Sequence, residues 1–406
     1  MEAARSVVIV GGGIAGVSTA VALRSGGFLG EITLVDAGEF PYDRPPLSKD
    51  YLAGKQDLEQ VALQPQSWYE DNAVRLRNLA SVTALRPGHR AVELSDGKVL
   101  PADRIVLATG GHAARPPIRG ADSPRVHVLR TAEDADALRK AMLPGARLLV
   151  VGAGLIGAEA ASTALGLGCE VTLVDPVAAP LAHTVGSDVA TWLHGLHTER
   201  GISVVTAGVE SFADTAAGVE VRISGEDESR TFDAVLLGVG MTPETSLAEE
   251  AGLETDQGVV VDAGQTTTTP AVLAVGDSTR RRIDGALLPR AEHWEAAQQD
   301  GARAAATILG IPGPAPTSSW FWSDRHGLHL EAVGKIAGAG TTVVRGAIGD
   351  PSFSVFGVTG GRVVGAVAVD EPNAVRAARR LIDRSIVVDP HRLADPSVDL
   401  RKLLRG

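Results

Sequence analysis

The sequence predicts an α/β fold of two Rossmann-like dinucleotide-binding domains, the first split by the second, with a small α+β domain at the C-terminal end. The first observation is an apolar run at residues 7–10 followed by Gly11, Gly13 and Gly16, then by residues 31–36, which end in Asp36. The second is the same unit repeated: residues 148–151, then Gly152, Gly154 and Gly157, then residues 170–175, ending in Asp175. The third is a change of pattern after residue 317, where short alternating stretches replace the strand–glycine–helix rhythm.

Each copy reads as a strand, a tight turn, a helix and a second strand. The first glycine permits the turn, the second lets the backbone approach a pyrophosphate, and the third lets helix and strand pack closely. The helix N-terminus adds N–H groups and a partial positive charge. Asp36 and Asp175, 20 and 18 residues after the last glycines, are placed to accept hydrogen bonds from a ribose. One such glycine pattern is weak evidence; two in register, each closed by an acid, are not. Two dinucleotides in one chain point to a flavin enzyme reduced by a nicotinamide. Asp175 would also repel a 2′-phosphate, and residues 176–182 hold no Arg or Lys to offset it, so NADH is expected over NADPH.

At 406 residues the chain has room for two or three domains, each with its own core. A hydrophobic content of 44% with 21% charged residues is that of a soluble globular protein. No apolar run reaches the ~18 residues of a membrane span. Met1-Glu2-Ala3-Ala4-Arg5 leads almost directly into the first strand, leaving no room for a signal peptide, so a cytoplasmic location is expected. A net charge of −11 argues against nonspecific nucleic-acid binding. Basic residues do cluster at Arg280-Arg281-Arg282, which reads as a solvated face or loop, and again from Arg376 onward.

The single cysteine, Cys169, excludes disulfides, thiol metal sites and a redox cysteine pair. On that ground the pyridine-nucleotide disulfide oxidoreductases are set aside. Cys169 is read as a small buried side chain, and no metal site is expected.

Along the chain, residues 40–49 carry three prolines in six positions, which fix the backbone and argue against a regular element. A helix is expected near residues 67–72, short strands over 82–99, and a strand at 104–108 that ends in Thr109-Gly110-Gly111. Residues 234–237 form another apolar strand ending in glycine. Residues 271–275 form a third, closed by Gly276-Asp277, and an alanine-rich helix follows at 296–309. In the tail, strands are expected at 328–335, 341–345, 353–358 and 363–369, with Thr359-Gly360-Gly361-Arg362 as a hairpin turn and a helix at 373–384. The domain limits that result are 1–111 with 237–316, 112–236, and 317–406.

Several stretches resemble one family in its order: Tyr42-Asp43-Arg44-Pro45-Pro46-Leu47-Ser48-Lys49, Ala108-Thr109-Gly110, residues 151–159, Gly238-Val239-Gly240, residues 274–277, Glu292-His293-Trp294 and Phe321-Trp322-Ser323-Asp324. The chain is similar to the FAD-dependent NADH:ferredoxin reductases of bacterial ring-hydroxylating dioxygenase and cytochrome P450 systems. These are the putidaredoxin reductase-like proteins, related to apoptosis-inducing factor and rubredoxin reductase. The resemblance implies that NADH reduces FAD, which passes electrons singly to a [2Fe–2S] ferredoxin. Rubredoxin reductase, NADH oxidase or a redox-gated interaction protein are the other activities the scaffold implies.

The resemblance also implies site roles. FAD would be held by Gly11, Gly13, Ala15, Gly16, Asp36, Arg44, Val82, Ala108, Thr109, Gly110 and Asp277, the last binding ribityl hydroxyls or pyrophosphate just before a helix N-terminus. Backbone N–H groups of Glu292, His293 and Trp294 would face the flavin pyrimidine. NADH would meet Gly152, Gly154, Leu155, Ile156, Asp175 and Gly240. Lys49, Glu159 and Trp322 would act at the flavin, with a Lys49–Glu159 pair joining the two nucleotide domains, although helix capping alone would explain Glu159. His197 reads as a hydrogen-bonded core histidine. Ferredoxin would dock on a surface including Arg280, Arg281 and Arg282, on a monomer or homodimer, without nucleic acid or membrane. Three positions depart from the family pattern: Ala114 with Arg115 one place late, Glu244 for an asparagine, and Arg325-His326 for a glutamine–aromatic pair.

Overall fold

Residues 4–405 are described by the computed structural model. Met1, Glu2 and Ala3, on which the reading of a leaderless start partly rests, lie outside them, as does Gly406. By their contacts the described residues form two compact units. One comprises residues up to Pro46, Gln56–His112 and Met241–Ala315; the other comprises Leu47–Lys55, Ala113–Gly240 and Pro316 onward.

The first unit is organised by a five-stranded parallel sheet in the order Val272–Ala274, Arg104–Leu107, Ser6–Val10, Glu31–Val35, Val74–Arg77. The register sets Ile9 against Leu34 and Val106, all fully buried, so near-continuous apolar runs are explained by cover on both faces. Helices Ile14–Ser25 and Trp294–Leu309 pack on each other. Gly301 makes that crossing possible, because a Cβ there would lie 2.6 Å from the Ala15 carbonyl oxygen.

The second unit repeats the plan. Its parallel sheet runs Ser203–Thr206, Glu170–Asp175, Arg147–Val151, Ala234–Leu237, Val126–Val128. In both units a three-stranded antiparallel insert precedes the strand that lies beside the first: Val82–Arg86, Ala91–Leu94 and Val99–Pro101 in one, Val209–Thr215, Gly218–Ile223 and Arg230–Phe232 in the other. The chain reverses direction of sheet growth at Ser6–Val10 in one unit and at Arg147–Val151 in the other, which is where such folds bind ligands.

The tail forms an antiparallel sheet in the order Trp320–Arg325, Leu328–Gly334, Arg362–Val369, Phe353–Thr359, Thr341–Arg345. Helix Pro372–Asp383 buries Ala374, Val375, Ala377, Ala378 and Leu381 against it. The strand Trp320–Arg325 went unread in the sequence. It is joined to the next strand by His326 and Gly327, both with positive φ (55° and 77°), a two-residue turn whose twist suits a hairpin.

Two local expectations need correction. The proline-rich loop does contain a regular element, a 3₁₀ turn at Pro45–Ser48 that buries Leu47 and Ser48. The fixed φ of proline near −65° fits such a turn as well as an extended loop. The triplet Arg280-Arg281-Arg282 is no loop: it lies in strand Thr279–Ile283. Among the described residues no helix is long and apolar enough to cross a membrane.

Candidate functional site

In the first unit the glycine turn leaves no room for side chains. Gly11 has φ +112°, and a Cβ would fall on the Ala108 carbonyl; a Cβ on Gly16 would fall on the Gly11 carbonyl. Helix Ile14–Ser25 has Gly13 as N-cap with no side chain capping it, so its first N–H groups present their dipoles outward. The Arg44 guanidinium stands beside Gly13, 3.3 Å from where a Cβ would be. Uncapped amides beside a cation suit a pyrophosphate. The Asp36 carboxylate accepts from the Gly12 and Gly38 amides, the latter at 2.7 Å, which fixes it at the strand end with lone pairs left for a ribose.

Farther along, Thr109 donates to the Glu244 carbonyl at 2.8 Å, and the Glu244 amide donates to the carbonyl of Gly110, whose φ is +66°. The Glu244 carboxylate pairs with His112 and accepts from Ser246, so this departure from the family pattern is absorbed locally. Val82 opens the antiparallel insert, paired with Leu94. Helix Trp294–Leu309 also begins without a side-chain cap, His293 being the N-cap, and Trp294 Nε1 donates to Asp43 at 2.7 Å. Burial pulls the His293 pKa down. Asp277 is not followed by a helix N-terminus as expected. It lies in the 3₁₀ turn Gly276–Ser278, which leads into strand Thr279–Ile283.

The second unit has a matching cradle. Gly152 has φ +95°, and a Cβ on Gly157 would fall on the Gly152 carbonyl. Gly154 is the uncapped N-cap of helix Leu155–Gly166, and a Cβ there, or on Gly240 at φ +108°, would meet nothing within 4 Å. This is open space lined by backbone. Ile156 is exposed beside it. Asp175 accepts from the Ala153 and Val177 amides, both at 2.7 Å, reproducing the arrangement at Asp36. The residues present therefore fit a dinucleotide in each unit.

Lys49, Glu159 and Trp322 come together inside the second unit. Glu159 does not cap its helix. Its buried carboxylate accepts from Ser48 Oγ (2.6 Å), Ser323 Oγ (2.8 Å) and the Asp324 amide (3.2 Å), with Lys49 Nζ at 3.5 Å. The expected Lys49–Glu159 contact exists, but the shorter partner of Lys49 is Asp324, at 2.6 Å. The ammonium also lies 5.2 Å from the Trp322 ring centre, and Trp322 stacks on Trp320 at 5.0 Å. Asp324 in turn meets His329 Nδ1 at 2.5 Å, and His329 Nε2 lies 3.3 Å from Glu331.

Ser48, Ser323, Asp324 and His329 complete this cluster, and none of them was among the residues expected in it. The hairpin signal was present in His326-Gly327: a two-residue turn there sets Asp324 opposite His329. Arg325 is buried, 4% exposed, with its guanidinium donating to Ser323 Oγ. His326 turns inward to His197, which is fully buried as expected. Arg115 donates to the carbonyls of Ala121 and Val126. Arg280 and Arg282 pair with Asp256 (2.9 Å) and Glu254 (2.7 Å).

Residues 5–301 match the family model described as pyridine nucleotide-disulphide oxidoreductase, and residues 320–404 match the reductase C-terminal model. The fold and the two cradles define a two-dinucleotide oxidoreductase, and the chain belongs to the pyridine nucleotide-disulphide oxidoreductase family. Within it, the chain is 36% identical over 407 aligned positions to the ferredoxin–NAD(+) reductase subunit of the benzene 1,2-dioxygenase system of Pseudomonas putida, covering 99% of this chain and 98% of that one. It is 37% identical to rhodocoxin reductase of Rhodococcus erythropolis, covering 98% and 93%. The crystal structure of a covalent putidaredoxin reductase–putidaredoxin complex superposes with a TM-score of 0.92 at 34% identity, covering 100% and 99%. Setting the family aside for want of a cysteine pair was therefore an error of scope. One buried cysteine rules out a disulfide relay, not the scaffold.

Proposed function

We propose that this protein is an FAD-dependent NADH:ferredoxin reductase that supplies a [2Fe–2S] ferredoxin serving an oxygenase, either a ring-hydroxylating dioxygenase or a cytochrome P450. The observation that carries the reading is the pair of uncapped glycine cradles, each with its acid, in a chain whose only thiol is buried. Two dinucleotides and no relay of cysteines leave the flavin as the point of exchange. FAD, when bound, supplies the conversion between a two-electron donor and one-electron acceptors.

The chain's own part is to bind and orient. The amides after Gly13, with Arg44, hold the flavin pyrophosphate, Asp36 its ribose, and Asp277 and the amides at 292–294 the rest of FAD. Gly154, Leu155, Ile156 and Gly240 leave room for NADH, and Asp175 binds its adenosine ribose. Lys49 and Glu159 act as a charged pair toward the flavin ring, with Trp322 as its aromatic neighbour. The working partition is 1–111 with 237–316 for FAD, 112–236 for NAD and 317–406 for the interface domain.

Ferredoxin is the partner, docking on a surface that includes Arg280, Arg281 and Arg282, on a monomer or homodimer in the cytoplasm. The test is spectroscopic. The purified protein should be yellow, bleach under anaerobic NADH, and reduce cytochrome c only when ferredoxin is added. A colourless protein that resists reconstitution, or cytochrome c reduction indifferent to ferredoxin, overturns the reading.

A further inference from the structure

The overall reaction leaves a proton to be disposed of. A hydride from NADH carries two electrons and one proton, and two ferredoxins take one electron each. One proton per NADH must therefore leave the centre as the electrons go. The side chain of Glu159 is 4% exposed and that of Lys49 15%, so the centre has little direct access to water.

A continuous chain of ionisable groups runs from that centre outward within one unit. Lys49 Nζ is 2.6 Å from Asp324 Oδ2, and Asp324 Oδ1 is 2.5 Å from His329 Nδ1. Exposure rises along it, from 15% at Lys49 to 40% at Asp324 and 41% at His329. Lys49, Asp324 and His329 also line a groove of about 500 Å³. We infer that Lys49, Asp324 and His329 are the outlet through which the proton of each transferred hydride reaches solvent. The inference rests on the reading that Lys49 and Glu159 act at the flavin.

The transfer balances without another reagent. Lys49 passes a proton from Nζ to Asp324 as it accepts one from the centre. Asp324 passes one to His329 Nδ1 as His329 releases its Nε2 proton. Turning of the Asp324 carboxyl and of the His329 ring then restores the starting state, and one proton leaves for every two electrons.

The charges facing His329 suit this traffic. Asp324 comes from the neighbouring strand and Glu331 from its own. Asp370, after strand Arg362–Val369, accepts from the His329 backbone amide at 3.2 Å, and Lys49 stands behind Asp324. Burial pulls the His329 pKa down, but Asp324 and Glu331 outweigh it and the net shift is upward. For Asp324, partial burial is outweighed by Lys49 and His329, so it stays a carboxylate ready to accept.

The holoenzyme, loaded with one equivalent of NADH without oxygen, is mixed with excess ferredoxin in weak buffer containing a pH indicator. In the wild type one proton appears per NADH, in step with ferredoxin reduction. His329→Leu and His329→Gln slow proton appearance by about a hundredfold, the low end for loss of an acid–base group, and added imidazole restores it. A readout independent of turnover is the ¹⁵N resonance of the His329 ring in oxidised holoenzyme, whose midpoint lies above that of an ordinary histidine and falls in Asp324→Asn. Wild-type proton release in both His329 variants, or a ring midpoint indifferent to Asp324→Asn, overturns the outlet. If Lys49→Met leaves flavin reduction by NADH unchanged, the reading of the centre fails instead. Slowed reduction in Lys49→Met with normal release in the His329 variants keeps the centre and removes the outlet alone.

Discussion

His326 Nε2 lies 2.9 Å from Nδ1 of His197, a hydrogen bond between two imidazoles in which one ring must donate and the other accept. His197 is fully buried and its other nitrogen has no hydrogen-bond partner. Burial first, then the nearby Arg325, lowers the pKa of His197 to about 3 and that of His326 to about 4. Both rings are therefore neutral in the folded protein at neutral pH.

A pH dependence with a definite sign follows. The folded values lie below the unfolded 6.5, so between them the unfolded chain binds more protons. The stability tied to these rings is fully present above about pH 6.5 and is lost as pH falls through 6 and 5 toward the folded values. Urea midpoints at pH 7.5, 6 and 5 should decline in the wild type and decline less in His197→Gln. Equal slopes would show that the pair does not govern acid sensitivity.

The buried Glu159 carboxylate depends on its donors. Ser323→Ala removes the 2.8 Å hydroxyl and leaves a buried charge less satisfied. A loss of about 1–3 kcal/mol is expected in denaturant unfolding, the range for stripping a partner from a buried polar group. Ser323→Thr, which keeps the hydroxyl, should recover most of it.

The two cradles can be separated by matched substitutions. Gly157→Ala forces a methyl onto the Gly152 carbonyl, and Gly16→Ala forces one onto the Gly11 carbonyl. Gly157→Ala should keep its yellow colour and lose NADH affinity by about tenfold or more, equivalent to at least ~1.4 kcal/mol. Gly16→Ala should lose FAD on gel filtration. The opposite assignment would exchange the cradles.

Asp175 sets coenzyme choice through charge. Asp175→Ser removes the carboxylate that opposes a 2′-phosphate while leaving a hydroxyl at the strand end. The ratio of kcat/KM for NADPH over NADH should rise by roughly tenfold, since one unit charge a few ångströms away is worth at least ~1 kcal/mol even in water. An unchanged ratio would place the ribose elsewhere.

Most strands of the parallel sheets were legible because each nucleotide unit writes its strand, turn and acid into a short span, and Gly11, Gly16, Gly152 and Gly157 allow no substitute, whereas the edge strands Val74–Arg77, Val126–Val128 and Ser203–Thr206 went unread. Four of the five tail strands were legible from alternation, and Trp320–Arg325 was not. The insert of residues 209–232 was not, since Val209–Thr215 shows solvent several polar side chains and offers no clean period. Least legible was the Glu159 cluster. Ser48, Glu159 and Ser323 lie more than a hundred residues apart in sequence, and only folding makes them neighbours. The cap reading of Glu159 failed for the same reason: local position suggested the helix end, but distant donors claimed the carboxylate.

Cys169 sits 4% exposed with its thiol pKa raised by burial and its sulfur 3.6 Å from the Leu143 carbonyl. A thiol so placed reacts poorly with maleimides and peroxide. Any cysteine introduced on the surface would thus be the sole labelling handle in the native chain. Spin labels or fluorophores could be attached one position at a time, with no background to engineer away, to map where a redox partner settles.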